Sequence, residues 1–160
     1  MASTTERIYV VRSGASGITS TPVALVAATA KSVIGVVGSA TDTICLKRVR
    51  VSFNSVTATD APALVEVGIL SAAGTATAFT PVQIVGSTLA SSVANAGYNC
   101  TVEPTYNRVF ESLYVPVNNG LVEWYYPLGE EPQCDPGQGF GLRITAPQAQ
   151  NVYPSLYYSE

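Results

Sequence analysis

The 160-residue chain contains no histidine. That absence excludes every Ser-His and Cys-His nucleophile pair and every His-ligated metal site. Charge is scarce as well. Asp, Glu, Lys and Arg make up 12% of the chain, about half the usual share of a soluble domain. The net charge of −3 argues against a nucleic-acid-coating protein, which is usually strongly basic. The 3 cysteines, Cys45, Cys100 and Cys134, are odd in number and far apart. Neither a disulfide framework nor a CxxC metal site is expected of them, and reduced thiols in a cytoplasm are the default. Long apolar runs are missing too. The most apolar stretch, 21–40, is broken by Thr, Ser, Lys and Gly and lacks the run of about 18 apolar residues that a membrane span needs. Residues 1–6 show no basic segment ahead of an apolar one, so no signal peptide is expected there.

What the chain has in quantity is small residues and valine. Ala, Ser and Thr supply 50 positions and Val 21. A monomer of this mass exposes roughly 7,600 Å², over which 19 charged residues are thinly spread. Much of that surface is expected to be covered by other subunits, since small side chains lose little entropy on burial. Self-association into a homo-oligomer is the expectation, because symmetric assembly hides neutral surface without burying charge.

The hydrophobic period is mostly two. Short strands are expected around 7–12, at 23–26 and 33–37, at 43–53, 63–70 and 75–79, at 101–103 and 108–117, and at 121–124, 141–145 and 152–158. The Ala-rich join between 26 and 33 is compatible with a helical turn. In 43–53 the apolar parity changes: Ile44 and Leu46 share one face, Val49, Val51 and Phe53 the other. Such a switch marks a β-bulge near Lys47–Arg48. Asn118-Asn119-Gly120 reads as a hairpin turn between 114–117 and 121–124. The Ser, Ala, Gly and Asn-rich stretch 85–99 reads as a long loop, or as one helical turn anchored by Leu89 and Val93. Many short strands with frequent turns and no long helix point to an all-β fold, an antiparallel jelly roll or related β-sandwich. The expected organisation is an N-terminal arm with the first short strand over 1–21 and one sandwich domain over 22–160.

Few residues suggest chemistry. Glu123, Glu130, Glu131 and Asp135 cluster in sequence, but a glycosidase needs two carboxylates held about 5–9.5 Å apart, and the spacing matches no calcium loop. They read as a solvated loop. The run from Gly137 to Gly141 matches neither a P-loop nor a dinucleotide fingerprint and reads as a turn feeding the next strand. The chain is therefore read as non-enzymatic, with no cofactor and no metal site. Glu66 and Arg143 sit within apolar strands, where a buried charge is normally paired; the partner of each is left open. Trp124 and Tyr126 share one strand face and Tyr125 takes the other, so Trp124 is expected in the core and Tyr125 at a contact. Lys47-Arg48-Val49-Arg50 is the one basic cluster. Absent a bulge, Arg48 and Arg50 share a side and Lys47 points away. Tyr125, Tyr157, Arg48 and Arg50 are the candidate interface residues.

The segments Val122-Glu123-Trp124-Tyr125-Tyr126-Pro127-Leu128-Gly129-Glu130-Glu131, 137–147 and Asn151-Val152, preceded by 74–81, resemble small virion proteins of tailed bacteriophages. The resemblance spans roughly 23–158. In size and composition the chain is similar to capsid decoration, or cement, proteins. That likeness implies a jelly-roll or related fold and a homotrimer on the capsid surface. It further implies that the partner is the phage major capsid protein, with synthesis in the host cytoplasm. It brings no catalytic or ligand residues, and neither nucleic acid nor membrane is implied as a partner. The alternative expectation is a receptor- or carbohydrate-binding module of a fibre or spike.

Overall fold

The computed structural model describes residues 6–14, 19–54, 61–86 and 90–160. Thirteen strands are found among them: β1 Ile8–Arg12, β2 Val23–Leu25, β3 Ala30–Val37, β4 Ile44–Asn54, β5 Ala63–Ala72, β6 Thr75–Phe79, β7 Val82–Val85, β8 Asn95–Val102, β9 Thr105–Val115, β10 Leu121–Tyr125, β11 Gln133–Cys134, β12 Gly139–Thr145 and β13 Gln150–Ser159. They build two sheets, and the chain crosses between them repeatedly. The seven-stranded sheet runs β10-β4-β13-β1-β7, with β11 beside β4 and β2 beside β13; the six-stranded sheet runs β6-β8-β3-β12-β5-β9. Every recorded pairing is antiparallel. This is the antiparallel β-sandwich expected from the period-two pattern.

Alternation decides which side chains fill the space between the sheets. β4 turns Ile44, Leu46, Val49, Val51 and Phe53 inward, and β12 answers with Phe140, Leu142 and Ile144, all nearly or wholly buried. Tyr9 and Tyr158, both buried, stack with ring centroids 5.7 Å apart. The first strand is part of this sandwich: β1 lies between β13 and β7 and buries Tyr9 and Val11.

The bulge stands where the parity switch placed it. Tyr157 pairs with Arg48 but Tyr158 pairs with Leu46, so Lys47 is the extra residue. Three local expectations are corrected. Asn118-Asn119-Gly120 is not a hairpin turn, because β9 pairs with β5 in one sheet and β10 with β4 in the other. The turn is a corner between sheets. Asn119 supplies the positive φ of 54°, and the Gly120 carbonyl accepts from Phe53 N–H at 2.9 Å. Pro116, which has no N–H to give a ladder, precedes the fully buried Val117 at the crossing. The stretch 95–99 is strand rather than loop, and β8 pairs with both β3 and β6; Leu89 lies outside the described residues. The Ala-rich join is a turn, with Ala28 at φ 53°.

The outer face of the six-stranded sheet is covered in part by its own side chains, and a hollow of about 220 Å³ stays open past Gly35, Ala76 and Gly97. Register sets Gly68, Gly141, Gly35 and Gly97 side by side across β5, β12, β3 and β8. Leu70 and the Tyr106 ring lie over this row: a Cβ on Gly141 would meet Leu70 Cδ2 at 2.7 Å and the Tyr106 hydroxyl at 2.8 Å. Beside it Glu66 and Arg143, direct neighbours in the ladder, form a two-pronged ion pair with N···O distances of 2.9 and 3.1 Å. The Arg143 guanidinium also lies 4.8 Å from the Tyr106 ring centre, and the Tyr106 and Ser32 hydroxyls are 3.1 Å apart. Glu66 and Arg143 are thus each other's partner.

The glycine row can be tested by adding one carbon. A Cβ on Gly68 would come within 2.5 Å of the Arg108 carbonyl oxygen, whereas one on Gly35 meets Leu70 Cδ1 at an ordinary 3.4 Å. Gly68→Ala is expected to lower stability by about 1–3 kcal/mol, while Gly35→Ala stays within about 0.5 kcal/mol of wild type. Urea melts of the two variants measure the difference.

Candidate functional site

The outer face of the seven-stranded sheet differs in kind: it is polar, aromatic and open. β10, β4, β13 and β1 lie side by side there, so their outward residues form rows across the strands. One row reads Glu123, Arg50, Ser155, Arg12; the next reads Tyr125, Arg48, Tyr157, Val10. All four candidate interface residues, Tyr125, Tyr157, Arg48 and Arg50, therefore meet on one surface. The bulge changes one part of the expectation. With Leu46 and Val49 both turned inward, Lys47 and Arg48 both turn outward, so Lys47 does not point away from the arginines into the core. It leans instead toward the far end of the face, bonding Glu131 at 2.9 Å and pairing with Glu6.

Electrostatics tie the arginines together. Glu123 lies 3.3 Å from Arg48 Nε and 3.4 Å from Arg50 Nε. These distances suit ion pairs, yet neither Nε makes a well-directed hydrogen bond. The Arg48 guanidinium rests 4.1 Å from the centre of the Tyr157 ring, a cation–π contact. Burial pushes the Tyr157 hydroxyl up, but Arg48, Arg50 and Ser155 outweigh it and hold it below the ordinary tyrosine value. Along this face a trough of about 510 Å³ runs past Arg12, Arg50, Ser52, Tyr153, Ser155 and Tyr157. Tyr153, Ser155 and Arg12 were not singled out by the sequence. Tyr153 and Ser155 could have been found by counting two-residue steps back from Tyr157, whereas Arg12 joins them only through the pairing of β1 with β13.

A second feature flanks this face. β9 and β10 are the edge strands of the two sheets on one side of the sandwich, where Phe110 meets Tyr126 edge-on at 6.5 Å. Val109, Leu113 and Tyr114 from β9, Leu121 and Tyr125 from β10, and Leu128 just beyond are all exposed, Tyr125 by 72% and Leu128 by 89%. Trp124, opposite in parity to Tyr125, is half-buried and packs against the rim of the core rather than at its centre.

The acidic loop is otherwise occupied. Glu131 serves Lys47 and also accepts from Gly129 N–H at 2.6 Å. Among the described residues no group of three His, Cys, Asp or Glu is placed to hold a metal, and no helix is long and apolar enough to cross a membrane. The cysteines are free; burial pushes the Cys100 and Cys134 thiols up to about 11. Gly137, at φ 79°, makes the turn that leads into β12. No family model, curated protein or solved structure matches the chain.

Two outcomes follow for this face. Trp124→Ala is expected to cost about 2–3 kcal/mol, less than a fully buried ring, whereas Tyr125→Ala leaves the melting temperature unchanged; thermal melts of the pair check the register of β10. The Lys47 cluster makes part of the stability sensitive to acid. Hydrogen bonding to Lys47, the largest cause in each case, holds Glu6 and Glu131 below the ordinary 4.5. A carboxylate whose folded value is depressed stabilises above its unfolded value and loses that contribution as pH falls through the folded one. The stability advantage of wild type over Lys47→Met is therefore expected at pH 7 and fades below about pH 4.5, as denaturant melts across pH would record.

Proposed function

We propose that this chain is a non-enzymatic structural protein of a tailed-phage virion. In this reading it is a decoration, or cement, subunit that assembles as a homotrimer and binds the major capsid protein on the head surface. The observation that carries the reading is the apolar edge at β9 and β10. Six large hydrophobic side chains stand exposed there in a chain with few charges. Large exposed apolar groups on two neighbouring edge strands suit protein–protein contact, and Tyr125 and Tyr114 are residue types enriched at such contacts. The small-residue composition and the resemblance of 122–131 and 137–147 to virion proteins support the same reading.

Light scattering at micromolar concentration is expected to give a multiple of 16.7 kDa, the trimer. Purified capsids are expected to pull the protein down and to gain resistance to heat. Leu121→Ser combined with Tyr125→Ala should weaken capsid binding by about tenfold or more, as loss of an aromatic anchor does, with the melting temperature retained. A protein that stays monomeric and leaves capsids neither bound nor stabilised overturns the proposal.

A further inference from the structure

We propose that the trough on the outer face of the seven-stranded sheet binds a carboxylate-bearing sugar, with the carboxylate over Ser155 between Arg12 and Arg50. The placement follows from register. Ser155 pairs with Arg12 on one side and with Arg50 on the other. Strands are about 4.8 Å apart, so the two arginine backbones flank Ser155 about 9.6 Å from each other. Along β13, Tyr153 and Tyr157 stand two residues before and after Ser155 on the same face, about 13 Å apart end to end. Two cations across the strands and two phenols along one strand thus converge on a single hydroxyl.

The charges are available to a ligand. Among the described residues Arg12 makes one weak hydrogen bond, Nη1 to Ser20 Oγ at 3.3 Å. Arg50 shares Glu123 with Arg48, and its Nε is poorly aimed at that carboxylate. Among the described residues no acidic one lines the trough. Three arginines against one glutamate leave a local positive surplus on a chain whose net charge is −3. Arginine is suited to a carboxylate because its planar fork can give two parallel N–H bonds.

The shape of the site selects a sugar over an acidic peptide. Extended peptides are usually held by the free main-chain groups of a sheet edge. Here the floor is the middle of a sheet, where the β13 backbone bonds to β4 and β1 on both sides. What the trough offers is hydroxyls from Ser52 and Ser155, phenols, and guanidinium groups. Those partners suit a rigid, hydroxyl-rich ring whose C–H face lies on a tyrosine and whose acid meets the arginines. The site touches the apolar edge only at Leu121, and its argument rests on the arginines and tyrosines, not on the capsid-binding reading.

The test is isothermal titration of the whole protein with trigalacturonic acid, its methyl ester and hexaglutamate. Trigalacturonic acid is expected to bind, with affinity falling as salt rises; the ester and the peptide are expected to bind at least about tenfold more weakly. Arg12→Gln should lose about tenfold in affinity with an unchanged melting temperature. Arg50→Gln serves as the second variant should the first fail to fold. In wild type, the amide resonances of 153–157 should shift on titration. Absence of trigalacturonate binding overturns the proposal, as does equal binding of the ester or full affinity in both variants. Hexaglutamate binding more tightly than the sugar reassigns the trough to an acidic peptide and equally overturns it. None of these outcomes bears on capsid pull-down, so the two readings fail separately.

Discussion

Lys47 and Arg48 together stand against one step of β13, and the working face of the molecule follows from that mismatch. Because Leu46 and Val49 both turn inward, the core layer continues past the bulge without a gap. Lys47 and Arg48 are then both forced outward. Lys47 goes to Glu131 and Glu6, whereas Arg48 settles on the Tyr157 ring and joins Arg50 at Glu123. Deleting one residue here would move every side chain on one arm of β4 to the opposite face. The arginine row and the buried Ile44 and Leu46 cannot both survive that shift.

The two outer faces have different physical jobs. On the six-stranded sheet the glycine row makes room for Leu70 and Tyr106 to fold back over the strands, and the Glu66–Arg143 pair closes the surface with its charges satisfied internally. The β5–β12 part of that face is closed by the chain itself, whereas a hollow stays open beside Gly35 and Gly97. On the seven-stranded sheet serine and tyrosine leave an open trough, and its arginines have donors to spare. The edge at β9 and β10 is unfinished in another sense, exposing large apolar side chains between a few charges such as Arg108 and Glu123. The open trough and the apolar edge adjoin at Leu121, which lines the one and belongs to the other.

Scarcity of charge sharpens this division. The ion pairs Glu66–Arg143, Glu123 with Arg48 and Arg50, and Lys47 with Glu6 and Glu131 engage eight charged side chains. Each pair joins strands or loops distant in sequence, so the charges that remain are used to fix register as well as to meet solvent. Arg12 stands apart from those pairs, which is why it is the informative residue of the trough.

Much of the architecture was written in local pattern. Alternation alone marked the all-β class and most strands, and the parity change from Leu46 to Val49 located the bulge, because a side-chain period of two leaves no other way to keep both arms buried. The opposite sides of Trp124 and Tyr125 followed from the same rule. Pairing across the chain was not legible. Asn118-Asn119-Gly120 has hairpin chemistry, yet its flanking strands belong to different sheets, since a turn sets local backbone shape and not the partner a strand will find. Stretch 95–99 has Tyr98 as its one large side chain and reads as loop, but Gly97 is needed where β8 meets the Ala76 Cβ and the Thr77 backbone of β6 closely. Gly35, Gly68, Gly97 and Gly141 lie scattered along the chain, and so do Arg12, Arg50 and Ser155. Only the long-range register of the two sheets makes one set a row beside Leu70 and Tyr106 and brings the other set side by side, because hydrogen-bonded ladders between distant strands, and nothing within any one segment, decide who stands beside whom.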